Sequence, residues 1–320
     1  MEAVAVQAKQ AALLWLAGFK EACCLHRVAV FSRRSRPLLI RTGQCFLLNG
    51  LIFLGSLFIV KSVVAPILLR ILPEQCEQFE PQHLCDHKAA MALYSSLRSI
   101  LINVFYVLWF YPLYVFSLVL SALWYNDIAK HAFDVMRSYG ESSTQASENK
   151  KISDMQEKPG GLDGVILGIG EQVYSFLLLV LFFIEVSAIG LIPYLGKAIN
   201  FLLLPWLYSY YCFEYKWNFA EVNLNKRLDF FESNWAFFAG FGSPCVFATF
   251  FLSPLVSAGV MAMLYPLFVV TAAGTEAEQV IDSLRRSWGG GGPRKIQVFY
   301  AAKRIFMLVL HLLPETQKEQ

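Results

Sequence analysis

The sequence predicts an all-α integral membrane protein: two long transmembrane helices, two helical hairpins inserted wholly or in part, and amphipathic interfacial helices. Three observations carry this. Of 320 residues, 56% are hydrophobic and only 16% charged, against a charged share near a quarter in soluble domains. Apolar runs of spanning length alternate with polar connectors. Two later apolar blocks are each cut by Gly and Pro. The net charge of +3 comes from Lys and Arg gathered outside the apolar runs, a pattern that speaks to topology and anionic lipid rather than nucleic acid.

The first unit, 1–44, holds a moderately amphipathic stretch over 8–34. Trp15, Phe19 and Ala22 fall on one side, and Lys9, Lys20, Arg27 and Arg34 on another. Such a helix lies in the membrane interface or docks on a partner. Cys23 and Cys24 are either unmodified thiols or sites of lipid attachment. Arg33, Arg34, Arg36 and Arg41 precede the second unit, 45–125, in which Cys45–Leu72 and Ile100–Trp124 are the two spanning helices. Lys61 lies inside the first, where it must snorkel, find a partner or line a wet cavity; Arg98 and Asn103 stand at the start of the second, where Arg98 either attracts anions or snorkels to the interface. The loop 73–90 between them is rich in Glu and carries Cys76 and Cys85. Residues 126–164 are too polar to bury a core and are expected to form a flexible loop.

The fourth unit, 165–275, holds the interrupted blocks, with a charged connector at 214–233. One turns at Pro193–Gly196, and its return limb, Ala198–Phe213, would give only about 24 Å of helix, short for a crossing. The other runs from Trp235 to Ala273, too long for one helix, with breaks at Gly242 with Pro244 and at Pro254. Two helices joined near Pro254 fit it better. Their depth depends on what satisfies the backbone at the breaks, because free N–H and C=O groups in lipid cost several kcal/mol each. The tail, 276–320, has a glycine-rich stretch, "SWGGGGPRK", expected to act as a flexible joint, and an amphipathic helix at Ile296–Leu313.

Basic residues set the expected orientation. Seven Lys or Arg lie in the first 45 residues, five in 126–163 and seven from 275 onward, but two at the edges of the Cys loop. Both termini and the central loop are therefore expected in the cytosol. The Cys76 to Cys85 loop falls on the far side, where a disulfide can form and where a metal site would match no standard spacing.

The segments "SALWYNDIAKHAFDV" (Ser121–Val135), "LYSYYCFEYKWNFAEVNLNKRLDFFESNWAFFAGFGSPCVF" (Leu207–Phe247) and "LYPLFVV" (Leu264–Val270) closely resemble the eukaryotic etoposide-induced protein 2.4 family. That resemblance implies a multi-pass endoplasmic reticulum protein acting in autophagy, in the progress of autophagosomes to degradative autolysosomes. A more distant likeness, through Pro37 with the apolar entry that follows it as far as Asn49, "IPYLG" (Ile192–Gly196) and "FGSP", reaches the bacterial CysZ sulfate permeases. It implies hairpins that penetrate only part of the bilayer. The charged insert at 126–163 and the Cys loop depart from that group and weaken a transfer of transport activity.

For a permease, the half-helix N-termini at the hairpin turns would hold an anion. The candidate turn or ion-path residues are Pro193, Gly196, Gly240, Gly242, Pro244 and Pro254; equally, Gly and Pro there permit tight turns and close packing. Glu185, in "LLLVLFFIEVSAIG", must face protein, be protonated or meet a cation such as Lys61, unless the hairpin leaves it near headgroups. "WYNDI" (Trp124–Ile128) fits an aromatic-x-x-aliphatic docking segment, or simply ends a membrane helix. No HExxH, G-x-S-x-G or CxxC occurs, so neither enzymatic activity nor a cofactor is expected. Expected partners are the lipid bilayer, autophagy or other membrane proteins, and a second copy of the chain, and no nucleic acid. Two function classes follow: an autophagy scaffold or membrane-remodelling factor, and a CysZ-like anion permease.

Overall fold

The computed structural model describes residues 2–71, 88–144 and 162–312, and among these every regular element is helical. Cys76, Cys85 and the side chain of Arg98 lie outside what is described, as does 145–161. The chain opens with α1 (Glu2–Ala22) and α2 (His26–Arg34), separated by a break at Cys23–Leu25. The expected single helix over 8–34 is thus two. α1 docks along α10 (Trp235–Thr249) of its own chain, because Leu14 and Ala22 are completely buried there rather than left for lipid.

A second rod begins at Ser35, whose hydroxyl accepts from the Leu38 amide, with Pro37 in the first turn. It runs through α3 (Arg36–Phe46), α4 (Gly55–Ile59) and α5 (Ala65–Ile71), which are joined by π-helical stretches at Leu47–Leu54 and Val60–Val64. α6 (Lys88–Thr144) is a single helix of 57 residues, about 85 Å long, against a hydrocarbon core of about 30 Å. It overturns the first part of the expected 126–164 loop. Tyr125, Ile128, Ala129, Ala132 and Val135 recur at helical spacing and are buried, and Phe133 packs on Phe219 of α8 (Gly196–Phe219). Polar composition masked an apolar stripe.

The hairpins follow. α7 (Leu162–Gly190) turns at 191–195 into α8; α9 (Leu224–Ser233), capped by the Asn223 side chain on the Asn225 amide, leads to α10; and α10 turns at 250–253 into α11 (Pro254–Ala273). α12 (Ala277–Ser287) and α13 (Tyr300–Leu312) close the described chain. Four helical stretches are long and apolar enough to cross a membrane: Arg36–Ile67, Ser95–Ser138, Gly170–Gly190 and Pro254–Ala273.

Gly240, Gly242 and Pro244 lie inside α10, so the expected turn at Gly240–Pro244 does not exist; of the two breaks, only Pro254 separates helices. Absent side chains bring backbones together instead. A Cβ on Gly240 would overlap the Trp15 carbonyl, one on Gly18 the Phe237 carbonyl, and one on Gly242 the Pro205 carbonyl. α10 is thereby wedged between α1 and α8 at small-residue crossings of the kind membrane helices use. Gly240→Ala is therefore expected to cost about 1–3 kcal/mol through overpacking. Gly170→Ala, an exposed position with nothing near it, is expected to gain about 0.5–1 kcal/mol of helix stability. Thermal unfolding of the purified variants in detergent checks the pair.

Candidate functional site

Both hairpin tips are bare and mostly apolar, with exposed Ser253 ending the second and exposed Lys197 just beyond the first. At the first, Tyr194 is 99% exposed and Leu191 86%; at the second, Phe251 is 80% exposed. A tip projecting into water would be expected to carry polar groups. These tips also pair several of their backbone groups internally. In the first, the amides of Leu191, Ile192, Leu195 and Gly196 donate to the carbonyls of Ala188, Ile189, Pro193 and Ile192. In the second, Phe250 donates to Val246 and Leu252 to Thr249, while Pro193 and Pro254 have no N–H to satisfy. Hydrocarbon demands this internal pairing.

Helix register aligns the second hairpin with the rod beside it. Gly259 faces Phe53 and Leu54, and Gly50 faces Met263, so α11 runs antiparallel to the 36–71 rod. From Gly259 to the helix start at Pro254 is about 7 Å, whereas the apolar rod continues about 20 Å from Leu54 to Ile67. The tip therefore stops roughly 12 Å short of the rod's apolar end. Phe201 of α8 packs on Phe250 with ring centroids 4.9 Å apart, placing the two hairpins side by side near their tips.

The opposite ends of the hairpins are clamped in a polar layer on the side of Arg33, Arg34, Arg36 and Arg41. Two cations close the C-terminus of α11: Lys216 Nζ donates to the Thr275 carbonyl at 2.5 Å, and Arg27 donates to the Thr275 hydroxyl at 2.8 Å while pairing with Glu21 at 2.7 Å. Burial pushes the Lys216 ammonium down, with Glu276 and Glu278 opposing. Burial also raises the Glu214 carboxyl, against a hydrogen bond from Ser175 and the charge of Arg227. Glu232, 2% exposed, holds the tail: it accepts from Lys303 at 3.1 Å and from the Phe299 amide, and lies 3.5 Å from Lys295. Lys295 also pairs with Asp229 at 2.5 Å, and that bond holds the ammonium above its ordinary range.

The glycine-rich stretch is consequently not a free joint. Gly289 and Gly290 turn with positive φ, and the strand-like path after them is pinned by the Ile296 amide on the Glu232 carbonyl and by the Trp235 indole on the Arg294 carbonyl. Beneath this layer Tyr210, Phe213, Phe231, Phe237, Phe238, Phe241 and Phe299 are fully buried and packed ring on ring.

Of the intramembrane polar residues singled out by sequence, Lys61 and Asn103 are exposed on the rods. Among the described residues no ion pair joins Lys61 to Glu185, and one Glu185 oxygen is buried without a hydrogen-bond partner. The residue sequence reasoning passed over is Asn49, completely buried, which ties the two rods together. Its amide donates to the Cys45 carbonyl at 3.0 Å and to Ser121 at 2.9 Å, and its oxygen accepts from Ser117. The pattern was visible as Asn49 opposite Ser117 and Ser121, one helical turn apart. A cavity of about 410 Å³ opens beside it, between the rods, α8 and α11.

A family model described as "Sulfate transporter CysZ/Etoposide-induced protein 2.4" matches residues 24–266. A protein named "Protein EI24 homolog" from Arabidopsis thaliana is 55% identical over 311 residues, 96% of each chain. Another of that name from Dictyostelium discoideum is 28% identical over 94% of this chain and 84% of its own. "Ectopic P granules protein 4" of Caenorhabditis elegans is 27% identical over 53% of this chain and 49% of its own. No solved structure matches.

Asn49→Leu leaves the Ser117 and Ser121 hydroxyls unpaired in an apolar setting and is expected to cost about 1–2 kcal/mol. Adding Ser117→Ala and Ser121→Ala should recover part of the loss, read as melting temperature in detergent.

Proposed function

The chain belongs to the sulfate transporter CysZ/etoposide-induced protein 2.4 family, and from that premise we propose that it serves autophagy in the endoplasmic reticulum membrane as a membrane-shaping scaffold, both termini cytosolic. The observation that carries this reading is the pair of adjacent hairpins with bare apolar tips and rigidly clamped bases. Two helix pairs that end inside the hydrocarbon add more volume to the leaflet they enter than to the other. That imbalance favours curvature, as shallowly inserted amphipathic helices do. The clamp of Glu232, Lys216 and Arg27 keeps the wedge from splaying. The Glu-rich Cys loop then faces the lumen, and the polar layer and tail face cytosolic protein partners. A second copy of the chain would multiply the wedge.

The rival reading, a CysZ-like anion permease, is favoured by one feature: α8 and α11 both begin at the hairpin tips without a side-chain cap, so their N-termini are available to an anion. Against it, the residues lining the cavity beside α11 include no Lys, Arg or His.

Purified protein reconstituted into liposomes separates the two. We expect narrower vesicles or tubules by electron microscopy, lost in a Tyr194→Asp, Phe251→Asp variant whose tips carry charge, at a cost of about 3 kcal/mol per group near the bilayer centre. Labelled sulfate should not accumulate. Saturable sulfate uptake with unchanged vesicle shape would establish the permease instead.

A further inference from the structure

The cavity between the rods and the second hairpin has one polar side and otherwise apolar walls. Asn49, Ser117 and Ser121 form its polar strip, and Ser121 lies beside the Tyr125 phenol, which donates to the Ala262 carbonyl at 3.0 Å. The strip thus crosses from the first rod through α6 to α11. Flat rings make much of the remaining wall: Phe53, Tyr114, Tyr208, Tyr211 and Tyr265. Tyr265 is 3% exposed and lies beside the buried Cys212 thiol. Among the described residues no Asp, Glu, Lys, Arg or His lines the space.

Three further features bear on what enters. The cavity is reached from the lipid, since Leu118 and Phe183 line it and are 56% and 57% exposed. Its volume of about 410 Å³ lies within the usual range of small-molecule pockets, about 300–1,000 Å³. The π-helical stretch Leu47–Leu54, a form that is rare and concentrated at functional sites, supplies both Asn49 and Phe53. The Arg41–Asp127 ion pair, 3.2 Å across, stands about 12 Å along the rod from Asn49, so the polar strip lies just inside the border of the apolar zone.

We propose that this cavity is a binding site for an uncharged, rigid lipid with a single hydroxyl, of the sterol class. The hydroxyl is held at the Asn49–Ser121–Tyr125 strip and the fused rings lie between the aromatic walls. A phospholipid would bring a phosphate to a site with no cation, and burying an unpaired charge costs far more than burying a hydroxyl that finds a partner. A flexible acyl chain would forfeit rotational freedom that a rigid ring system does not have to lose. A neutral amphiphile entering from the bilayer meets neither cost.

The test uses the full chain in nanodiscs containing a photoreactive sterol, with adducts mapped by mass spectrometry. The expected result is saturable labelling of the peptides around Tyr114–Tyr125 and Pro254–Tyr265, displaced by excess unlabelled sterol and not by diacylglycerol. Ala258→Phe, which fills the space, should abolish the displaceable labelling, and Ser121→Ala, which removes the hydroxyl's partner, should weaken it. Ser257→Leu repeats the filling should Ala258→Phe fail to elute as a monodisperse species. Adducts spread along the rods in proportion to lipid exposure would overturn the proposal. So would displacement by diacylglycerol, or wild-type labelling in a folded filled variant.

Discussion

An unpaired backbone amide is costly in hydrocarbon, and the two hairpin tips reduce that cost with tight internal bonds and prolines. Much of the molecule follows from it. Tips that need no water can stop inside the bilayer, so their side chains are free to be Leu, Ile, Tyr and Phe. At the tip side, among the described residues, only Lys197 and Ser253 offer polar anchors, so the hairpins are held mainly from their bases. That is where the chain concentrates its buried charge: Glu232 under Lys303 and Lys295, Lys216 and Arg27 over the end of α11. The same demand explains the glycine crossings of α10 with α1 and α8. Lipid gives no hydrophobic drive for helices to associate, so close van der Waals contact must supply it.

The two rods answer a different problem. They reach farther into the membrane than the second hairpin does, and their facing surfaces need a fixed register. Asn49 provides it with three hydrogen bonds to one carbonyl and two serines. Unlike an ion pair, this arrangement carries no large desolvation penalty, and it leaves a polar rim where α11 fails to close the gap. Cavity and register thus share the same residues.

Much of this was legible in the sequence. The apolar runs, the Pro193–Gly196 turn and the joint near Pro254 follow from helix length and from proline's missing N–H. What escaped was tertiary. Gly240 and Gly242 read as a turn or as a close-packing site, and a string of residues does not say that Trp15 and Pro205 are what press against them. The helix through Asn126–Thr144 was concealed by charges on its outer face, although Ile128, Ala129, Ala132 and Val135 keep helical spacing. The Gly-rich tail read as a joint because the Ile296 and Trp235 bonds that pin it come from distant positions. Asn49 was passed over in favour of Lys61 and Glu185, because full charge draws notice in a membrane segment and a neutral amide does not.

The central claim, that the second hairpin ends within the hydrocarbon, is tested most directly by depth. Spin labels at Leu252→Cys, at Ile67→Cys on the rod and at Lys226→Cys in the polar layer, in nanodiscs, would be compared for relaxation by oxygen and by a water-soluble nickel complex. The account predicts that Leu252 is relaxed by oxygen and hidden from nickel, Ile67 lies near the opposite headgroups, and Lys226 is open to nickel. A Leu252 label as accessible to nickel as Lys226 would mean that the hairpin crosses the bilayer or never enters it, and the account would fail.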